Sequence, residues 1–156
     1  MLNDTPTFHE GWGVSLIRMA MKYLITLILI CSPFAWSDIL IIAHKDTPLS
    51  KLDQNAIKNI YLGNQPIIND IRVIPLDQAY DSPTRIQFYE DVIQLPHNQV
   101  ISHWSRLIFT GKGQSPIALA GNNSIIDFVK NNPNVIGYID EDYMTDDVKV
   151  LFKFNE

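Results

Sequence analysis

Ser82, Thr84 and Arg85 fall within four residues of one another in the run "DQAYDSPTRIQFYED", residues 77–91. Two hydroxyls and a guanidinium at that spacing can hold an oxyanion, because the hydroxyls donate singly and the guanidinium can grip two oxygens at once. The local grammar adds backbone donors. Ser82 is a good N-cap, Pro83 suits the first position of a helix, and the preceding "IRVIP" is extended. A helix starting there directs unpaired N–H groups and roughly half a unit of positive charge outward along its axis. The plainer reading of the same residues is a capped helix with Arg85 paired to a neighbouring acid.

Other chemistry has little support. Nucleophile elbows, GxxxxGK phosphate loops and HExxH zinc sites are absent from the sequence, and the spacing of His44, His97 and His103 suits no common metal site. No catalytic residue, metal site or cofactor is expected, and the protein is not expected to be an enzyme. The acidic run "DEDYMTDD", residues 140–147, lacks the Gly and Glu of a calcium loop and reads as a solvated turn. "FTGKG", residues 109–113, reads as a helix C-cap before it reads as an anion nest. Tyr89 and Trp104 read as core.

The elements that must position the candidate site follow from periodicity. "ILIIA", residues 39–43, is a β-branched run suited to burial on both faces of a sheet. Helices are expected at about 51–62 (Ser50 cap, Gly63 stop), 83–93, 97–109, and over "NNSIIDFVKNNP" with Asn122 or Asn123 as cap. Strands are expected at 71–75, 135–139 and 148–152, with "QSPIALAG" extended. Alternating strands and helices predict an α/β three-layer sandwich, a mainly parallel or mixed sheet with helices on both faces.

The beginning of the chain reads differently. Met21-Lys22, the apolar "YLITLILI" and the Ala35-x-Ser37 boundary have the form of a secretory signal peptide over residues 21–37, preceded by an extension, residues 1–20, ahead of a more natural start at Met21. Cleavage after Ser37 would leave residues 38–156 as one domain without cysteine, carrying 15 acidic and 10 basic residues. A periplasmic location is expected, and the acidic balance argues against nucleic acid as a partner.

Three stretches, in order, resemble one family: "AIKNIYLGN", "IRVIPLDQAYDSPTR" and "GNNSIIDFVKNNPNVIGYID". They are similar to segments of the phosphate-binding proteins of ABC transporters, bilobed type II periplasmic binding proteins, and cover about residues 51–140. Gly121, Asn122, Pro133, Ile136, Gly137 and Tyr138 carry the most specific part. The resemblance implies one lobe of that fold, with Ser82 and Thr84 as oxyanion ligands and Asp81 and Asn122 as weaker candidates for the ligand set. Gln78 and Tyr80 stand where the family has arginine and aspartate, so Arg85 and either Asp81 or Asp77 are the replacements to look for. The implied function is periplasmic binding of phosphate or a similar oxyanion, as the substrate-binding or an accessory component of an ABC-type phosphate transport system. Its partners would be transporter subunits or a second copy completing the cleft. The alternative is a single-lobe protein-interaction or sensory module that keeps the fold without binding an anion.

Overall fold

In the computed structural model, residues 37–155 are described. The leader and signal assignments, Ser37 apart, concern residues outside that range. β1 (Ile39–His44) sorts its side chains by the period of a strand: Ile39, Ile41 and Ala43 enter one apolar core, Leu40 and Ile42 another. A strand with both faces in apolar cores must lie inside a sheet covered on each side. β6 (Val135–Asp140) and β7 (Val148–Lys153) pair with it, both antiparallel. On the far side of β6 lie β4 (Ile74–Gln78) and β5 (Ile117–Leu119), each in parallel pairing. The order is β5-β4-β6-β1-β7, with β1 alone running against the other four. This is the mixed, mainly parallel sheet expected.

The strand expected over 71–75 is in fact two elements. Ile71–Arg72 (β3) turns back on Ile67–Ile68 (β2) through Asn69 and Asp70, both at positive φ as a tight hairpin requires. The main-sheet strand β4 begins only at Ile74. Buried Val73 links the two, its N–H donating to Pro66 O at 2.8 Å.

Helices cover both faces. α1 (Gln54–Tyr61) is capped by Asp53, whose side chain accepts from Ala56 N at 2.7 Å; Ser50 was the expected cap, and the helix starts later than expected. α2 (Pro83–Gln87) continues as a π-helical turn over Phe88–Val92, so the helix expected at 83–93 forms but changes its pitch midway. Gln54 Nε2 donates to Val92 O at 2.7 Å, satisfying a carbonyl at the end of that turn. α3 spans His97–Phe109 as expected and ends in a Schellman motif, with Lys112 N donating to Leu107 O, Gly111 N to Ile108 O, and Gly111 at φ +66°. α4 (Asn122–Lys130) is preceded by Gly121 in the cap position, where Asn122 or Asn123 was expected.

α1, the π turn and α3 pack on one face around Tyr61, Phe88 and Tyr138, the last two rings stacked at 3.9 Å. α4 lays Ile125, Ile126 and Val129 on the other. Gly137 permits that second contact, since a Cβ there would lie 2.4 Å from Ile125 Cγ2. The connection from β4 to β5 therefore runs over the first face and that from β5 to β6 over the second. Connections leaving adjacent parallel strands on opposite faces open a crevice at their carboxyl ends, where open α/β sheets take ligands.

Candidate functional site

β4 ends at Gln78, β5 at Leu119 and β6 at Asp140, and the loops beyond them line a pocket of roughly 520 Å³. Ser82, Thr84, Asn122, Ser124, Asp140 and Tyr143 are among its lining residues. Ser82 caps α2 as the sequence implied, its Oγ accepting from Arg85 N at 3.4 Å while donating to Gln78 Oε1 at 2.8 Å. Thr84 Oγ1 donates to Asp140 Oδ2 at 2.8 Å. Asn122 Nδ2 donates to the same oxygen at 2.8 Å. Its Oδ1 accepts from Gln78 Nε2 at 2.8 Å and from Asp140 N at 3.2 Å. Ser82, Gln78, Asn122, Asp140 and Thr84 thus form one hydrogen-bonded chain across the ends of β4 and β6. The first N–H groups of α4 add donors: a helix start leaves them without intrahelical acceptors, and no side chain caps this one.

Three of the five residues expected at the site, Ser82, Thr84 and Asn122, are brought together. Arg85 is not. It was expected to present its head group to the cleft, yet it is 7% exposed and turned into the protein. Its Nε lies 3.1 Å from Asp77 Oδ2, its Nη1 lies 3.0 Å from His97 Nδ1, and its guanidinium carbon sits 4.7 Å from the Tyr89 ring centroid. The cause is the buried carboxylate of Asp77, an acceptor that draws the cation inward. Asp81 is exposed and outside the pocket lining.

Asp77 takes four donors: Arg85 Nε, Tyr89 OH at 3.0 Å, Tyr138 OH at 2.5 Å and its neighbour's amide, Gln78 N, at 2.8 Å. Burial, and after it the Asp77 charge, pushes the Tyr89 and Tyr138 phenols well above their ordinary range. They remain neutral donors, which is what a buried carboxylate needs. None of these residues lines the pocket, and the Gln78 amide ties the cluster to the start of the Gln78–Ser82 turn.

Sequence reasoning missed Asp140. As the last residue of "VIGYID" it was grouped with the acidic turn that follows. The available signal was its place at the carboxyl end of a parallel strand, level with the Ser82 turn. Gln78 was noted only as a departure from the family pattern, whereas it links Ser82 to Asn122. Among the described residues no group of three or more His, Cys, Asp or Glu is placed to hold a metal, and no helix is long and apolar enough to cross a membrane.

A five-stranded sheet with one antiparallel strand, helices on both faces and a donor-lined pocket at its carboxyl edge defines one lobe of a periplasmic-binding-protein fold. As the sequence resemblance implied, the chain is similar to one lobe of the phosphate ABC transporter substrate-binding proteins. Over 74% of its length it is similar to a protein from Clostridium perfringens assigned as a phosphate ABC transporter substrate-binding protein and solved with bound phosphate, at 27% identity and TM-score 0.59. It also matches the fold of an ABC-type phosphate transport receptor from Vibrio cholerae, at 17% identity and TM-score 0.57, and of PstS from Borrelia burgdorferi, at 14% and 0.57. The chain spans 44%, 45% and 46% of the lengths of those three structures. No protein-family model matches it, and no curated protein does.

Proposed function

We propose that the pocket at the carboxyl ends of β4, β5 and β6 binds phosphate or a similar protonated oxyanion, and that the protein serves an ABC-type phosphate transport system outside the cytoplasm. The observation that carries this reading is the convergence of Thr84, Ser82, Asn122 and the uncapped start of α4 on one pocket. Hydroxyl, amide and backbone N–H donors favour oxygen-rich anions. Asp140 sets a condition on them. A fully deprotonated anion is repelled by a carboxylate, while an oxyanion that still carries a proton can donate it in a hydrogen bond to Asp140. Phosphate retains a proton near neutral pH; sulfate does not.

The pocket is open to solvent, which screens the ligand, so affinity should be modest unless a transporter subunit or a second copy closes over it. Secretion through the signal peptide ending at Ser37 belongs to the same reading, and N-terminal sequencing of exported protein tests it. The role is binding, with no chemistry performed on the ligand. Calorimetric titration with phosphate, sulfate and a neutral polyol is the direct test. Phosphate alone should give a saturable signal at up to millimolar concentration.

One observation favours a second reading. With Arg85 withdrawn into its pair with Asp77, Asp140 is the only charged side chain lining the pocket among the described residues, which suits a module that keeps the fold for protein interaction or sensing without an anion. A flat titration with phosphate would select it.

A further inference from the structure

α3 is apolar on two faces. Val100, Trp104 and Leu107 pack inward, as a surface helix requires. Ile101 and Ile108, seven residues or about two turns apart, lie together on the outer side, with Phe109 beside them. They are 38%, 54% and 93% exposed. Nothing in the packing of this lobe accounts for a phenyl ring left almost wholly in water.

The stretch of chain that carries this face is one-sided in charge. From residue 92 to residue 126 the chain has no Asp or Glu, although the whole protein carries a net charge of −5. Arg106 and Lys112 lie in that stretch, both exposed, and among the described residues neither forms an ion pair. They offset the negative end of the helix dipole, which explains their position but not the apolar groups beside them. The Schellman turn holds Lys112 just past Phe109, so the tip is ordered before it meets anything.

We propose that the outer face of α3 and its terminal turn form a docking surface for an anionic lipid bilayer. Phe109 and Ile108 would enter the headgroup–acyl boundary while Arg106 and Lys112 remain level with the phosphates. A bilayer fits better than a protein partner because Phe109 projects from a convex helix end. A specific protein interface needs on the order of 1,000 Å² of complementary surface, far more than three side chains supply. Insertion into lipid needs only the apolar tip and the cations. A stretch that brings no acid of its own also suits the approach of an acidic protein to a negative surface. This inference is independent of the oxyanion pocket.

The test places an indole at the tip of the full-length chain, as Phe109→Trp, and reads its emission as a difference spectrum against wild type, which removes the native tryptophans. With phosphatidylglycerol-containing vesicles at low salt, the signal of the introduced indole should shift to the blue and be quenched by brominated lipid. Pure phosphatidylcholine should give less than about a third of that shift, and added Arg106→Glu and Lys112→Glu changes should abolish it while circular dichroism stays native. If the chain sediments with vesicles while the introduced indole keeps the emission of a hydrated one, attachment is elsewhere and the proposal is overturned. It is equally overturned if a protein partner protects that indole and vesicles leave it unchanged. Phosphate titrations of the same variants should match wild type, so failure here and failure of the oxyanion reading are separable.

Discussion

Arg85 Nε donates to Asp77 Oδ2 across 3.1 Å, and both side chains are less than a tenth exposed. The residue best suited by type to attract an anion is thereby committed to the interior. Breaking a buried pair from one side leaves the other charge stranded, at a cost of about 3–5 kcal/mol. Asp77→Ala should approach that value, because among the described residues the Arg85 guanidinium would keep only His97 as a hydrogen-bond partner. Arg85→Ala should cost less, because Tyr89, Tyr138 and Gln78 N still donate to the carboxylate. Urea unfolding of the two variants checks the order. Arg85→Ala should also leave phosphate affinity within about threefold of wild type, since a remote, already paired charge has little residual field.

The buried phenols predict an alkaline limit to stability. Burial first, and nearby charge second, raises Tyr61, Tyr89 and Tyr138 well above the ordinary value of 10.0. A group whose folded pKa is raised stabilises the fold fully below its unfolded value, and that stabilisation is lost as pH rises through the folded value. Stability should therefore be insensitive to these three groups at neutral pH and fall steadily above about pH 10. Phenolate absorbance and far-ultraviolet circular dichroism, followed together, should show a late ionisation step coincident with unfolding. Ionisation of all tyrosines before any loss of structure would contradict the buried placement.

Gly137 gives a packing prediction. Its added Cβ would meet Ile125 Cγ2 at 2.4 Å, between β6 and α4. Overpacking of this kind costs about 1–3 kcal/mol, so Gly137→Ala should lower the urea midpoint. Ile125→Ala in the same chain should recover part of the loss by opening room for the methyl, and a thermodynamic cycle measures that coupling.

What the sequence made legible was whatever a local pattern controls. The unbroken apolar run of β1 announced a strand buried on both faces, and α3 ran over 97–109 to the glycine turn that follows it, as read. The Ser82 cap also followed from neighbours alone. The break inside 71–75 did not, because Val73 is as apolar as the strand residues on either side and only the Asn69–Asp70 turn shows that pairing changes there. The site divided in the same way. Ser82 and Thr84 were visible as a motif, while Asp140, 56 residues beyond Thr84 in sequence, reaches it only through parallel pairing of β4 and β6. Of the two readings of Arg85 the paired one holds, because a side chain's direction depends on which acid is buried nearby, and nothing local to "SPTR" discloses that Asp77 points inward.

Asp140 and Thr84 supply the decisive test of the pocket. The Thr84 hydroxyl donates to Asp140 Oδ2 at 2.8 Å, and the Asn122 amide donates to the same oxygen. A bound oxyanion must take at least one of those donors and give Asp140 a proton in return. Thr84→Val keeps the shape and removes the donor, so phosphate affinity should fall by about tenfold, the worth of one hydrogen bond to a charged group. Asp140→Asn removes the acceptor's charge and supplies a donor. The variant should lose the preference for a protonated ligand, binding sulfate at least as well as phosphate, where wild type is expected to take phosphate alone. Ser82→Ala should reduce affinity and also cost about 1 kcal/mol of stability through the lost cap, separating it from Thr84→Val in urea unfolding. Parallel calorimetric titrations with the two anions distinguish these outcomes. If Asp140→Asn binds neither anion and wild type binds phosphate, Asp140 acts only by holding Thr84 and Asn122 in place, and its proposed part in choosing the ligand is wrong.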